Sequence, residues 1–196
     1  MIEINTPNDG RLDQLASIAQ QLNDLLGFKR QTRKPSGGIW KTTAATAGTD
    51  KACTNGTCYL GRFYLPAPAL ATGAQYLVGS VGGTNNVILS LYDETGRLLR
   101  ATASTLIGTA ANVQQIAFAT GPTGAAATTI QLEPGYYWIG LTANGTTAKF
   151  RTVPDHAGVG DNILGGTVSQ TFGTVTATVT VPATLTADTA PVASLY

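Results

Sequence analysis

Between residues 59 and 152 the sequence breaks into eight short runs rich in β-branched and aromatic residues, with turn residues between them and no helical period. The runs are YLGRFYL (59–65), AQYLVGSV (74–81), NVILSLY (86–92), RLLRATA (97–103), VQQIAFA (113–119), TTIQL (128–132), GYYWIGLTA (135–143) and TTAKFRT (146–152). Strands at this spacing, with no helices between them, predict a sandwich or barrel rather than a parallel α/β sheet. Asp93-Glu94-Thr95-Gly96 is expected to close one hairpin, and Asn144-Gly145 another with type I′ chemistry. In the third run Val87, Leu89 and Leu91 should face one way and Ile88, Ser90 and Tyr92 the other. In GYYWIGL, Tyr137, Ile139 and Leu141 oppose Tyr136 and Trp138. That strand is apolar on both faces, so it is central, or its second face meets another subunit.

The flanks read differently. Leu12, Leu15, Ala19, Leu22 and Leu26 recur at a heptad spacing inside 9–27, and Ile18 and Leu25 widen the stripe. A helix of about five turns is predicted, capped by Asn8 or Asp9 and stopped by Gly27. It packs on its own domain, or forms an intersubunit coiled coil or an arm docked on a neighbour. KRQTRK (29–34) has four basic residues and no acid, and reads as a solvated linker ending at Pro35, Gly37 and Gly38, the alternative being a contact with nucleic acid or an acidic neighbour. The tail, 153–196, carries only Asp155, Asp161 and Asp188 as charged residues. Its Thr/Val/Ala alternation has high β-propensity but few large side chains, so it should add to a sheet edge, its own or a neighbour's. The predicted organisation is an N-terminal helical arm and linker (1–38), a β body (39–152) and an extended C-terminal arm (153–196).

Cys53 and Cys58 flank Asn55-Gly56. A type I′ hairpin there would place them on a non-hydrogen-bonded pair with Cα atoms about 4.5 Å apart, within disulfide range. A zinc site would need further soft ligands, and the chain offers no other Cys and the single His156. A pinned hairpin is therefore expected, bridged if the environment oxidises it.

No catalytic, metal or cofactor constellation emerges. There is no nucleophile elbow, Gly82-Gly83 is followed by no helix that would cradle a phosphate, and Asp93-Glu94 lies within turn chemistry. Charged residues are 12% of the chain, about half the usual ~25%. The net charge of +1 argues against a nucleic-acid partner. No run reaches the ~18–20 apolar residues of a membrane span, and the first residues lack a signal-peptide pattern, so folding in a cytoplasm is expected. Tyr59, Tyr64, Tyr76, Tyr92, Tyr136, Tyr137 and Trp138 are core and interface aromatics, or a platform for sugars.

The blocks GRFYLPAPALATGAQYLVGSVGGTNNVILSLYDETGRLL, LEPGYYWIGLTANGTTAKFRT and TADTAPVASLY together resemble a group of β-rich bacteriophage virion proteins, over roughly residues 59–196. The resemblance implies a mainly β fold, an antiparallel jelly-roll-like β-sandwich. It implies a non-enzymatic capsid decoration (cement) protein or a related tail or fibre component, often a homotrimer. Its partners would be itself and the major capsid protein or other virion proteins. The alternatives are a tail-fibre module that recognises host glycans and a secreted carbohydrate-binding module.

Overall fold

The computed structural model describes residues 48–153, 165–186 and 188–196. The helix predicted over 9–27, with Leu12, Leu15, Ile18, Ala19, Leu22, Leu25 and Leu26, the basic linker, and His156 lie outside the described residues. The described chain is mainly β and every strand pairing is antiparallel.

Its strands are β1 (Asp50–Ala52), β2 (Thr57–Leu65), β3 (Ala69–Ala71), β4 (Gly73–Leu77), β5 (Asn86–Asp93), β6 (Leu98–Thr102) and β7 (Thr105–Leu106). They continue with β8 (Val113–Thr120), β9 (Ile130–Leu132), β10 (Gly135–Ala143), β11 (Lys149–Arg151), β12 (Gly165–Ser169) and β13 (Ala193–Leu195). The main sheet runs β12-β2-β10-β5-β6-β8-β4-β13, with β7 also on β5, and curls into a half-barrel. Two small sheets, β1-β11 and β3-β9, complete the set.

The curl gives the sheet an inner and an outer face, and alternation assigns each side chain to one of them. Val87, Leu89 and Leu91 of β5 lie in the inner cluster with Tyr59, Tyr76, Phe118, Ile139, Leu141 and Phe150. The rings of Tyr59 and Phe150 meet there at 4.8 Å between centroids. Ile88 and Tyr92 lie in the outer cluster with Cys58, Leu60, Leu98 and Trp138. β10 is central, between β2 and β5, which is why it is apolar on both faces. The DETG turn forms as expected: Gly96 has φ +89°, and the Asp93 carboxylate accepts hydrogen bonds from the backbone of Thr95 and Arg97.

The outer cluster is covered by the chain's own C-terminal segment, while the Tyr64–Tyr136 end of the same face stays exposed. β12 adds to the free side of β2. The next residues cross the outer cluster, where Val179 is buried and Phe172, Val175, Val181 and Leu185 pack against it. The Leu98 N–H donates to the Ala177 carbonyl at 2.8 Å and the Val179 N–H to that of Gly96 at 2.9 Å. The Thr186 N–H then donates back to the Gly165 carbonyl at 2.8 Å. Beyond it, the Val153 N–H donates to Ala190, and Val192 links Arg151 to Leu77. β13 finishes on β4, the opposite margin of the sheet. Of the two edges open to the tail in the sequence reading, the described part takes its own.

Two expected hairpins do not form. Asn55-Gly56 is a turn closed by Thr57 N–H to the Thr54 carbonyl at 3.1 Å, but of its two central residues only Gly56 has a positive φ (+79°). That is type II geometry rather than type I′. The flanking strands do not pair with each other: β1 pairs with β11, while β2 pairs with β10 and β12. At Asn144-Gly145 neither residue has a positive φ, and β10 does not pair with β11. Asn144 Oδ1 instead accepts from Asn86 N–H at 2.8 Å, and Asn85 Oδ1 accepts from Ala148 N–H at 2.8 Å. Long-range asparagine contacts shape this bend in place of a two-residue turn.

Candidate functional site

The same register that builds the core also builds an exposed aromatic ledge. β2 contributes Arg62-Phe63-Tyr64 and β10 contributes Tyr136-Tyr137-Trp138. Pairing sets Tyr64 opposite Tyr136, Phe63 opposite Tyr137, and Arg62 opposite Trp138. With a period of two, Arg62, Tyr64, Tyr136 and Trp138 share the outer face. Trp138 is covered, but Tyr64 and Tyr136 stay 46% and 44% exposed.

The ledge is held rigidly. The two tyrosine rings meet at 4.9 Å between centroids, tilted by 52°. The Arg62 guanidinium carbon sits 4.0 Å from the Tyr136 ring centroid and 5.9 Å from that of Trp138. Arg62 Nη2 pairs with Glu94 Oε1 at 2.6 Å, and Trp138 Nε1 donates to the Glu94 carbonyl at 3.3 Å. The pair is solvent-exposed and contributes little stability by itself. Its effect is geometric: it pins a planar cation over one face of Tyr136. An exposed, tilted aromatic pair beside a guanidinium and a carboxylate can accept an apolar ring face with polar groups at its rim, whether a sugar or a partner's side chains.

The other expected platform aromatics have structural places. The Tyr76 hydroxyl donates to Gln114 at 2.7 Å, that of Tyr92 to Gln170 at 3.3 Å, and that of Tyr137 to the Glu133 carbonyl at 2.7 Å. Tyr59 donates to Thr54 at 3.1 Å. A seven-ring platform is therefore not assembled; two rings are. Glu94, taken in sequence as part of a turn, is the partner of Arg62. That link depends on β2 and β5 flanking β10, which no local signal carries.

Asp50 and Asp93 serve the fold. Asp50 meets Arg151 at 2.9 Å and accepts from Ser80 N–H. Burial alone would raise the Asp93 pKa, but hydrogen bonds from Thr95 and Arg97, together with the Arg97 charge, outweigh it and hold the group below its usual value. No group of three His, Cys, Asp or Glu poised to hold a metal occurs among the described residues, and no helix there is long and apolar enough to cross a membrane.

Cys53 and Cys58 are both free and buried, on opposite sides of the sheet: Cys53 in the inner cluster, Cys58 in the outer one. The expected register failed with the hairpin, because Cys53 follows β1 toward β11 (its N–H donates to the Ala148 carbonyl at 3.0 Å) while Cys58 follows β2. Burial pushes both thiols up to about 12, for Cys58 against smaller opposing contributions from Thr142 and Leu141.

An unfolded thiol titrates near pH 8.5. Above that pH the unfolded chain sheds protons that the folded chain keeps, so stability is complete below about pH 8.5 and falls as pH rises toward 12. Each thiol costs up to ~1.4 kcal/mol per pH unit across that window. Burial raises Tyr76 and Tyr92 as well, which adds to the loss at higher pH. We expect cooperative unfolding above about pH 10, followed by circular dichroism, and no maleimide labelling at neutral pH until denaturant is added. Rapid stoichiometric labelling of the native protein would contradict both.

No family model, curated protein or solved structure matches this chain.

Proposed function

We propose that this chain is a non-enzymatic structural protein of a bacteriophage virion, a capsid decoration (cement) protein assembled in the host cytoplasm. In this reading it is a homotrimer held on the major capsid protein or another virion protein through the helix predicted from sequence over residues 9–27. The observation that carries the proposal is that the chain's own C-terminal segment covers the outer cluster. The segment packs over that cluster and pairs with both margins of the sheet, and the sequence offers the leucine stripe of residues 12–26, outside the described residues, as the surface for a partner. The phage-like sequence blocks support the same reading. The finer fold assignment belongs here too: the curled sheet, whose strands β2, β10, β5, β8 and β4 all contribute to the inner cluster, is read as a jelly-roll-like sandwich.

The test is to add purified chain to particles of a phage that lacks it. Saturable co-sedimentation and greater heat resistance of the particles are expected. Absence of binding at micromolar concentration would reject the proposal.

The exposed Tyr64–Tyr136 pair favours a second reading, a tail-fibre module recognising host surface glycans. Glycan-array binding that disappears in Tyr64→Ala with Tyr136→Ala would replace the first reading by this one.

A further inference from the structure

The chain contains two Asn-Gly pairs, and their surroundings differ. Asn144 is tethered: its N–H donates to the Asn86 carbonyl at 3.1 Å, and its Oδ1 accepts from the Asn86 N–H at 2.8 Å. Gly145 lies against the Asn85 side chain, whose Oδ1 accepts from Thr147 and Ala148 N–H. Asn55 is exposed, and its side chain makes no hydrogen bond among the described residues. A Cβ placed on Gly56 would meet nothing within 4 Å, so the turn is open on that side, in contrast to Gly145.

We propose that Asn55 is a site of spontaneous deamidation and isomerisation, and that the fold protects Asn144. The Gly56 nitrogen gives up its proton to hydroxide and attacks Asn55 Cγ. The new C–N bond closes a succinimide, the Cγ–Nδ2 bond breaks, and ammonia leaves after taking a proton from water. A second water opens the ring at either carbonyl, yielding aspartate or isoaspartate. Glycine permits this because it has no side chain to block the approach of its nitrogen.

The site matters to the body because of what the turn holds. The Gly56 carbonyl accepts from Gln170 N–H at 2.9 Å, at the start of the segment that covers the outer face. Gln170 is buried and accepts the Tyr92 hydroxyl. Isoaspartate inserts a methylene into the main chain between Thr54 and Thr57, which displaces that carbonyl. Either product also adds a negative charge at the turn.

The test is to age the full folded chain at mildly alkaline pH and map both sites by peptide mass spectrometry, using fragmentation that separates aspartate from isoaspartate. Asn55 is expected to convert at least about tenfold faster than Asn144, a difference of ~1.4 kcal/mol and the size of one or two ordinary hydrogen bonds. In denaturant the two rates should converge, and Asn55→Gln should remove the early acidic species. Equal rates in the folded chain, a faster Asn144, or an inert Asn55 in a chain that reacts once unfolded would each overturn the proposal.

Discussion

A chain cut after Val153 is expected to lose its folded state. Without residues 165–186 the outer cluster opens, and Leu60, Ile88, Leu98 and Trp138, all buried in the intact chain, face water. Large apolar side chains contribute roughly 1.5–3 kcal/mol each on full burial, so these four account for about 6–12 kcal/mol. That is the size of the whole stability of a typical domain, about 5–15 kcal/mol. The cut also strips β13 from β4 and β12 from β2, leaving unpaired edges that invite aggregation. Val179→Asp tests the same point with one residue, because it places a carboxylate in the outer cluster with no partner in view. Both variants should be insoluble or lack a cooperative melt by circular dichroism. A truncated chain that melts like the intact one would show that the segment merely rests on the body.

Removal of residues 1–36 is expected to do the opposite: the body stays folded and particle binding disappears. Among the described residues, which begin at 48, the first strand starts at Asp50 and the two core clusters draw on residues from Cys53 onward. The amphipathic stripe of the predicted helix includes Leu12, Leu15, Leu22, Leu25 and Leu26, whose burial against a partner would supply several kcal/mol. Mass measurement of the intact chain at micromolar concentration should give a trimer, and the shortened chain should be monomeric. Co-sedimentation with particles lacking the protein measures the binding half. Unchanged stoichiometry in the shortened chain would move the attachment to the body, where the Tyr64–Tyr136 ledge is the first place to look.

The contrast between the two ends shows where a sequence is readable. β5 and β10 were legible residue by residue because alternation is local and burial on both faces leaves no other place for Val-Ile-Leu or Tyr-Trp-Ile runs. The Asp93–Gly96 turn was legible because its hydrogen bonds fall within four residues. The two Asn-Gly bends misled for the complementary reason. Hairpin chemistry describes what a bend can do, whereas partner choice was settled by pairing across the chain: Asp50 with Arg151 and Gly165 with Gly61. Once β1 went to β11, Cys53 and Cys58 were carried to opposite faces, and no reading of their spacing would have shown it. The ledge was half visible. Its tyrosines stand out in the sequence, but Arg62 and Glu94 become neighbours only through the order of strands.

That order has a consequence for the time course of synthesis. β2 is among the first strands made, yet one of its two partners, β12, lies about a hundred residues later, and the margin of β4 waits for Ala193–Leu195. Such distant pairings pay a loop-closure cost before they gain contacts, and they slow folding. A nascent chain that has emerged from the ribosome as far as about residue 160 would already carry β2, β10 and β5 side by side, with their outer surface bare. Until residue 196 clears the ribosome the body therefore remains an incomplete intermediate with sticky apolar surface, and a host chaperone that shields it during those seconds would raise the yield of soluble protein without touching the finished fold.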